Sequence, residues 1–158
     1  MNRQDYRVPL LVALGAVSIF VMLLWRPLRQ VALHQAHLLK AVEKRNWAKA
    51  GEFIALDYSD RWGFDKEVVL AQAASVFQHF LFLSIGQEQH TITAANGRGS
   101  VVARLTLAGR GNPGAESAMQ QVNSLAEPFT FEWEKKSWKP WDWQLVEIDH
   151  PRLKISNQ

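Results

Sequence analysis

The stretch Phe129–Ile148, FTFEWEKKSWKPWDWQLVEI, decides the fold. Phe129, Phe131 and Trp133 alternate with Thr130, Glu132 and Glu134, the two-residue period of a strand with one face in a core. Lys136 to Pro140 supplies turn residues. Trp141, Trp143 and Leu145 resume the alternation, and Val146 and Ile148 shift it by one residue, which predicts a bulge or a strand buried on both faces. Pro151 closes the segment.

Upstream, the same period recurs twice. His90, Ile92 and Ala94 alternate with Gln89, Thr91 and Thr93. Val101, Ala103, Leu105 and Leu107 alternate with Val102, Arg104 and Thr106, and Asn96-Gly97 between the two runs is a hairpin signal. Gly109 to Glu127, rich in Gly, Ser, Ala and Gln, reads as a long loop with room for a helical turn or two. Before His90 the pattern becomes helical. Val69, Ala73, Val76, Phe77 and Phe80 form one stripe behind Asp65, whose carboxylate can accept from an amide two or three residues on, and this helix is expected to end near Phe80. Asp57 to Phe64 is a polar-aromatic link. From Val31, the residues Leu38, Leu39 and Val42 recur at helical spacing with Lys40, Glu43, Lys44 and Arg45 opposite. That pattern runs on to Leu56, with Gly51 marking a break between two helices. Three helices followed by four antiparallel strands indicate an α+β fold with the helices on one sheet face. There is no βαβ rhythm, glycine-rich phosphate loop or internal repeat.

Val8 to Trp25, VPLLVALGAVSIFVMLLW, contains 18 residues and no charge. At helical rise it spans about 27 Å, close to the hydrocarbon thickness of a bilayer. Arg7 and Arg26 bracket it, and Trp25 sits where an aromatic anchor belongs. A cleaved signal peptide has an apolar core of about 7–15 residues and a small-x-small site; this run is longer and ends in Leu24-Trp25-Arg26-Pro27. The expected organisation is a tail at 1–7, a transmembrane anchor at 8–25, a juxtamembrane linker at 26–30, an α+β domain at 31–151 and a C-terminal tail at 152–158. Arg26, Arg29, Lys40, Lys44 and Arg45 after the span outnumber Arg3 and Arg7 before it, which favours a cytoplasmic domain. A seven-residue tail before a single span is typical of a signal-anchor, and on that ground the domain is expected on the extracytoplasmic side.

A net charge of +3 without a Lys/Arg cluster leaves no footprint for nucleic acid. The absence of cysteine removes disulfides, thiolate zinc sites and cysteine nucleophiles. A hydrophobic content of 47% against 21% charged is that of a folding chain.

The helix Leu38–Trp47, the link Asp57-Tyr58-Ser59-Asp60 and the strand pair Phe129–Trp133 and Trp141–Ile148, in this order, resemble the NTF2-like superfamily, also called the SnoaL or ketosteroid-isomerase-like fold. The resemblance covers residues 31–150. It implies a curved antiparallel sheet wrapped against the helices as a cone with an open mouth. The long loop 109–127 departs from the compact members. The superfamily includes isomerases, dehydratases, hydrolases, transport factors and domains without chemistry, so the fold implies no activity, and no family's catalytic motif matches this chain residue by residue.

A cone of this kind would be lined by Trp47 and Phe53 from the first helices, Tyr58 and Trp62 from the link, Phe77 and Phe80, His90, and Phe131, Trp133 and Trp143 from the strands. His90, Asp57 and Tyr58 are the weak catalytic candidates. His90 shares a strand face with Ile92 and Ala94, yet a base needs an oriented partner. Asp57 and Asp60 flank Tyr58, where carboxylates more often cap or solvate. His79 at a helix end suits capping. His34 and His37 share a helical face as metal ligands do, but without cysteine or a nearby carboxylate before Glu43 no metal is expected, and no cofactor. Trp138 is the tryptophan of the hairpin most suited to exposure.

These observations lead to a membrane-anchored, non-enzymatic binding or assembly module, whose domain takes a protein partner, a small apolar ligand, or a second copy of itself through the sheet. The alternative is a cone-cavity enzyme of the isomerase, dehydratase or hydrolase type using a His, Asp or Tyr acid-base group. A third is a tethered part of an envelope or secretion assembly.

Overall fold

A computed structural model describes residues 7–152. Helix α1 (Arg7–Leu24) is apolar and exposed around its circumference, Leu10, Leu14 and Phe20 all presenting more than half of their surface. Among the described residues no single helix is long and apolar enough to cross a membrane; Pro9–Leu23 and Pro27–Glu43 reach that length and composition only as a pair bent by 66°. Pro27 opens α2 (Pro27–Glu43), where its missing N–H costs nothing and its fixed φ suits the first turn. Gln30, Val31, Gln35, Leu38 and Ala41 form the buried stripe of α2.

The break between α2 and α3 (Trp47–Phe53) falls at Arg45-Asn46, not at Gly51. Arg45 takes a left-handed φ of 53°, and the Asn46 side chain accepts from the Lys49 amide at 3.0 Å. Gly51 lies inside α3, where a Cβ would come within 3.3 Å of Leu70, so its small size lets α4 (Lys66–Phe77) pack closely. Asp65 caps α4 as the sequence predicts, Oδ1 accepting from Val68 N at 2.9 Å.

That helix ends at Phe77, and Phe80 instead begins β1 (Phe80–Ala95), which is much longer than the alternation around His90 suggests. The run Phe80-Leu81-Phe82-Leu83 has no polar residue to reveal a two-residue period, and the ladder skips between Phe80 and Phe82. Phe80 enters a small core with Leu107 and Ala115, while Leu81 and Phe82 stay exposed. Asn96 and Gly97, at φ 52° and 76°, make the two-residue turn into β2 (Arg98–Gly111).

The segment expected as a loop contains α5 (Pro113–Asn123). Asn112 caps it, its Oδ1 accepting from Gly114 N at 2.9 Å, and Pro113 occupies the first turn. Strands β3 (Phe129–Lys135) and β4 (Trp143–Asp149) complete an antiparallel sheet in the order β1-β2-β3-β4. The shift in β4 is a bulge at Val146, since Glu132 faces Glu147 while Trp133 faces Leu145. The free side of β4 is covered by the link after α3, Ala55 N donating to Leu145 O at 2.9 Å and Ser59 N to Val146 O at 3.1 Å.

The main core lies between α2, α3 and the inner sheet face, with Val31 and Leu38 against Val101, Phe131, Trp133 and Leu145. Each such buried side chain contributes about 1.5–3 kcal/mol. At Gly99 α2 comes close to β2: a Cβ there would lie 2.5 Å from Val31 Cγ2.

Candidate functional site

A cavity of about 560 Å³ opens between α2, α4, α5 and the inner sheet face. Its wall is almost wholly apolar. Leu38, Leu39 and Val42 come from α2, Val69, Ala73 and Phe77 from α4, Leu105 and Leu107 from β2, and Ala118 and Val122 from α5. The volume lies within the range of small-molecule sites.

One buried polar pair interrupts this surface. Tyr58 and Asp60, 3% and 7% exposed, both reach the cavity. Tyr58 Oη donates to Asp60 Oδ2 at 3.1 Å, while Asp60 Oδ1 accepts from the amides of Trp62 at 3.0 Å and Phe64 at 2.9 Å. Burial, reinforced by the neighbouring Asp60, pushes the Tyr58 phenol well above the ordinary tyrosine range and keeps it neutral. With its proton given to Asp60 and the Ile148 amide also donating to its oxygen, Tyr58 has only acceptor capacity left to offer at the cavity wall. The matching ligand group is a hydroxyl or N–H donor; a ligand carbonyl would have to compete with Asp60 for the phenolic proton. Gln72 and Gln121 add side-chain amides.

Of the residues expected to line the cone, Trp47, Tyr58, Trp62, Phe77 and Phe131 are at the cavity wall. Four others lie elsewhere. Phe53 faces away from the sheet-side cavity, its ring 5.8 Å from His34 and beneath the Lys49 ammonium. Phe80 fills the second core. Trp133 is buried under α2, its indole N–H donating to Gln35 Oε1 at 3.1 Å, and the Trp143 indole donates to Pro140 O at 3.0 Å. Tryptophan indoles pack where their N–H finds an acceptor, which draws these two away from an apolar cavity. The side chain of His90 lies outside the described residues.

Asp57 and Tyr58 are not brought together. Asp57 is exposed and paired with Lys136, whose Nζ lies 2.9 and 3.0 Å from its two oxygens and holds its carboxyl below the usual range. His79 Nδ1 accepts from Asn112 Nδ2 at 3.0 Å beside the α5 cap. His34 bonds Gln30 O at 2.8 Å. No group of three or more His, Cys, Asp or Glu among the described residues is placed to hold a metal. Sequence reasoning passed over the α5 wall, although Asn112-Pro113 followed by Ala115, Ala118, Met119 and Val122 is a capped helical stripe. It also passed over His150, fully buried, with Nε2 donating to Glu127 O at 2.9 Å and Nδ1 accepting from Arg152 N at 3.2 Å; the first of these bonds ties the residue after β4 to the segment before β3.

No protein family and no curated protein matches the sequence. Solved structures do match. Bd1075 of Bdellovibrio bacteriovorus is similar over 75% of this chain at 10% identity with a TM-score of 0.57, and this chain spans only 38% of its length. A protein from Streptomyces avermitilis, provisionally named a dehydratase of the NTF2-like family, is similar over 77% of this chain and 91% of its own at 14% identity, TM-score 0.57. An NTF2-like protein of unknown function from Pseudomonas putida KT2440 is similar over 77% and 82% at 11% identity, TM-score 0.56. At these identities the likeness shows the fold: an NTF2-like α+β domain with helices packed on an antiparallel sheet.

Proposed function

We propose that the chain is a membrane-anchored binding module whose NTF2-like domain holds a small apolar ligand carrying one hydroxyl or N–H group. The observation that carries this reading is the apolar cavity of about 560 Å³ with one buried acceptor pair, Tyr58 and Asp60, in its wall. A pocket of that size and character buries most of a small ligand, and a single polar contact fixes its orientation. The anchor is Val8–Trp25. Its support is the uncharged sequence and the apolar surface that α1 leaves exposed on all sides. In this reading the domain lies on the extracytoplasmic side, and a reporter fused to the C-terminus decides between the two sides. Exposed Leu81 and Phe82 on β1 are where the sheet would receive a second copy or a protein partner, which native mass measurement tests.

The full chain in nanodiscs, titrated with 2-naphthol and corrected for empty nanodiscs, tests the ligand site. One probe molecule should bind per chain, and Ala73→Trp, which fills the cavity from α4, should abolish binding. Equal binding by Ala73→Trp removes the cavity from the account.

A second reading, a cone-cavity enzyme, is favoured by the same pair: a ligand hydroxyl could pass its proton to Tyr58 as Tyr58 passes its own to Asp60. Tyr58→Phe separates the two. A binding module loses affinity; an enzyme keeps its ligand and loses turnover.

A further inference from the structure

The turn between β3 and β4 carries Trp138-Lys139-Pro140-Trp141. Trp138 is 82% exposed and Trp141 53%. Single exposed aromatics are ordinary. These are not isolated: the Trp141 ring lies 6.4 Å from that of Trp25, at the end of α1, and Trp25 is itself half exposed. The turn is closed by Lys136 N donating to Asp142 O at 2.8 Å and Asp142 N to Lys139 O at 3.3 Å, so the two indoles sit on a short, fixed platform. Lys139 in the turn is exposed, as are Arg26, next to Trp25, and Arg29 in the first turn of α2.

We propose that this hairpin tip is a second membrane contact, in which Trp138 and Trp141 enter the headgroup region beside Trp25 and orient the domain against the bilayer. The inference rests on the reading of Val8–Trp25 as an anchor. If that helix spans, Trp25 marks its interfacial end, and the Trp25–Trp141 contact sets the tip at the same depth. Indoles favour that depth because the ring is apolar and the N–H still finds a polar partner. Lys139, Arg26 and Arg29 then face anionic headgroups. A single tether does not set which face of the domain meets the lipid; two contacts separated along the chain do. The α4 and α5 walls of the cavity do not take part in the contact.

The chain has no cysteine, so one introduced thiol reports alone. Trp138→Cys and, as a reference at the exposed end of α4, Gln78→Cys are labelled with bimane in the full chain, in vesicles of phosphatidylcholine and phosphatidylglycerol. The expected result is loss of quenching by aqueous iodide at 138, gain of quenching by a headgroup nitroxide lipid there, and the opposite pair at 78. Trp141→Cys should repeat the behaviour of 138. Equal iodide quenching at 138 and 78 in chain that floats with the vesicles overturns the contact and leaves the anchor standing. Chain that does not float with vesicles overturns both. A probe at 138 that is shielded from iodide yet untouched by the nitroxide lipid is covered by protein, which also overturns the proposal.

Discussion

Tyr58 gives its phenolic proton to Asp60 across 3.1 Å, two residues apart on a link that forms part of a cavity wall. The folded state holds this phenol neutral well above its ordinary range. The stability it contributes is fully present below the unfolded tyrosine value of about 10. As pH rises past that value the unfolded phenol ionises while the folded one does not, and each further unit costs about 1.4 kcal/mol. Denaturant unfolding of the full chain at a series of pH values up to 11 should show this falling limb, and Tyr58→Phe should flatten it. At pH 7 the same variant leaves Asp60 Oδ2 without its donor and should cost about 1–3 kcal/mol.

Trp133 and Gln35, 98 residues apart, join the last hairpin to α2 through one buried hydrogen bond of 3.1 Å. The Gln35 amide nitrogen has no hydrogen-bond partner and is buried. Trp133→Phe strands the glutamine oxygen as well and should cost about 3–5 kcal/mol, the loss of ring volume included. Gln35→Leu strands only the indole N–H. Trp133→Phe with Gln35→Leu removes both polar groups, so the double variant should be more stable than the sum of the two singles by roughly 1–2 kcal/mol. Unfolding free energies of the four proteins check it.

The sequence made the strands legible where one face is polar. Glu132 and Glu134, alternating with Phe131 and Trp133, leave only one period consistent with burial, and Asn96-Gly97 leaves one turn. It hid the start of β1, because Phe80-Leu81-Phe82-Leu83 is apolar at every position and has no period to read. It hid α5 for a different reason: Gly, Ser and Gln weigh toward loop when counted, whereas the capping Asn112 and the Ala115–Val122 stripe act by position. The pair at the site was legible as residue types only. Asp57 and Asp60 stand one and two residues from Tyr58, and which of them it meets depends on Lys136, far along the chain, capturing Asp57. The gap at Arg45 was equally obscure, since nothing in an arginine announces a positive φ.

Gly99 is a packing requirement and not a flexibility requirement. A methyl group there would sit 2.5 Å from Val31 Cγ2 and 3.2 Å from Cγ1, inside a fully buried contact between α2 and β2. Gly99→Ala should therefore destabilise by about 1–3 kcal/mol as an overpacked core does. Val31→Ala alone leaves a void and also destabilises. Together they restore the volume, and the double variant should recover roughly 1 kcal/mol relative to the sum. Thermal unfolding of the four proteins measures the coupling, and strict additivity would show that α2 shifts freely.

Asn123 closes α5 onto the sheet. Its Oδ1 accepts from Leu107 N at 2.7 Å and its Nδ2 donates to Leu107 O at 2.8 Å. β3 pairs with β2 only from Arg98 to Ala103, so the side-chain amide supplies to Leu107 the two bonds that a neighbouring strand would have made. Asn123→Ala leaves both backbone groups to water or unpaired, at about 1–3 kcal/mol. The loss should be local, because the main core lies at the other end of the sheet. Amide exchange should therefore quicken across Pro113–Asn123 and at Leu107, while Val101 and Phe131 keep their protection. Since Ala118 and Val122 of this helix form one wall of the cavity, 2-naphthol affinity should fall by about tenfold if the lost closure of α5 costs about 1.4 kcal/mol of binding. Unchanged affinity with fast exchange in α5 would show that the ligand is held by α2, α4 and the sheet without it.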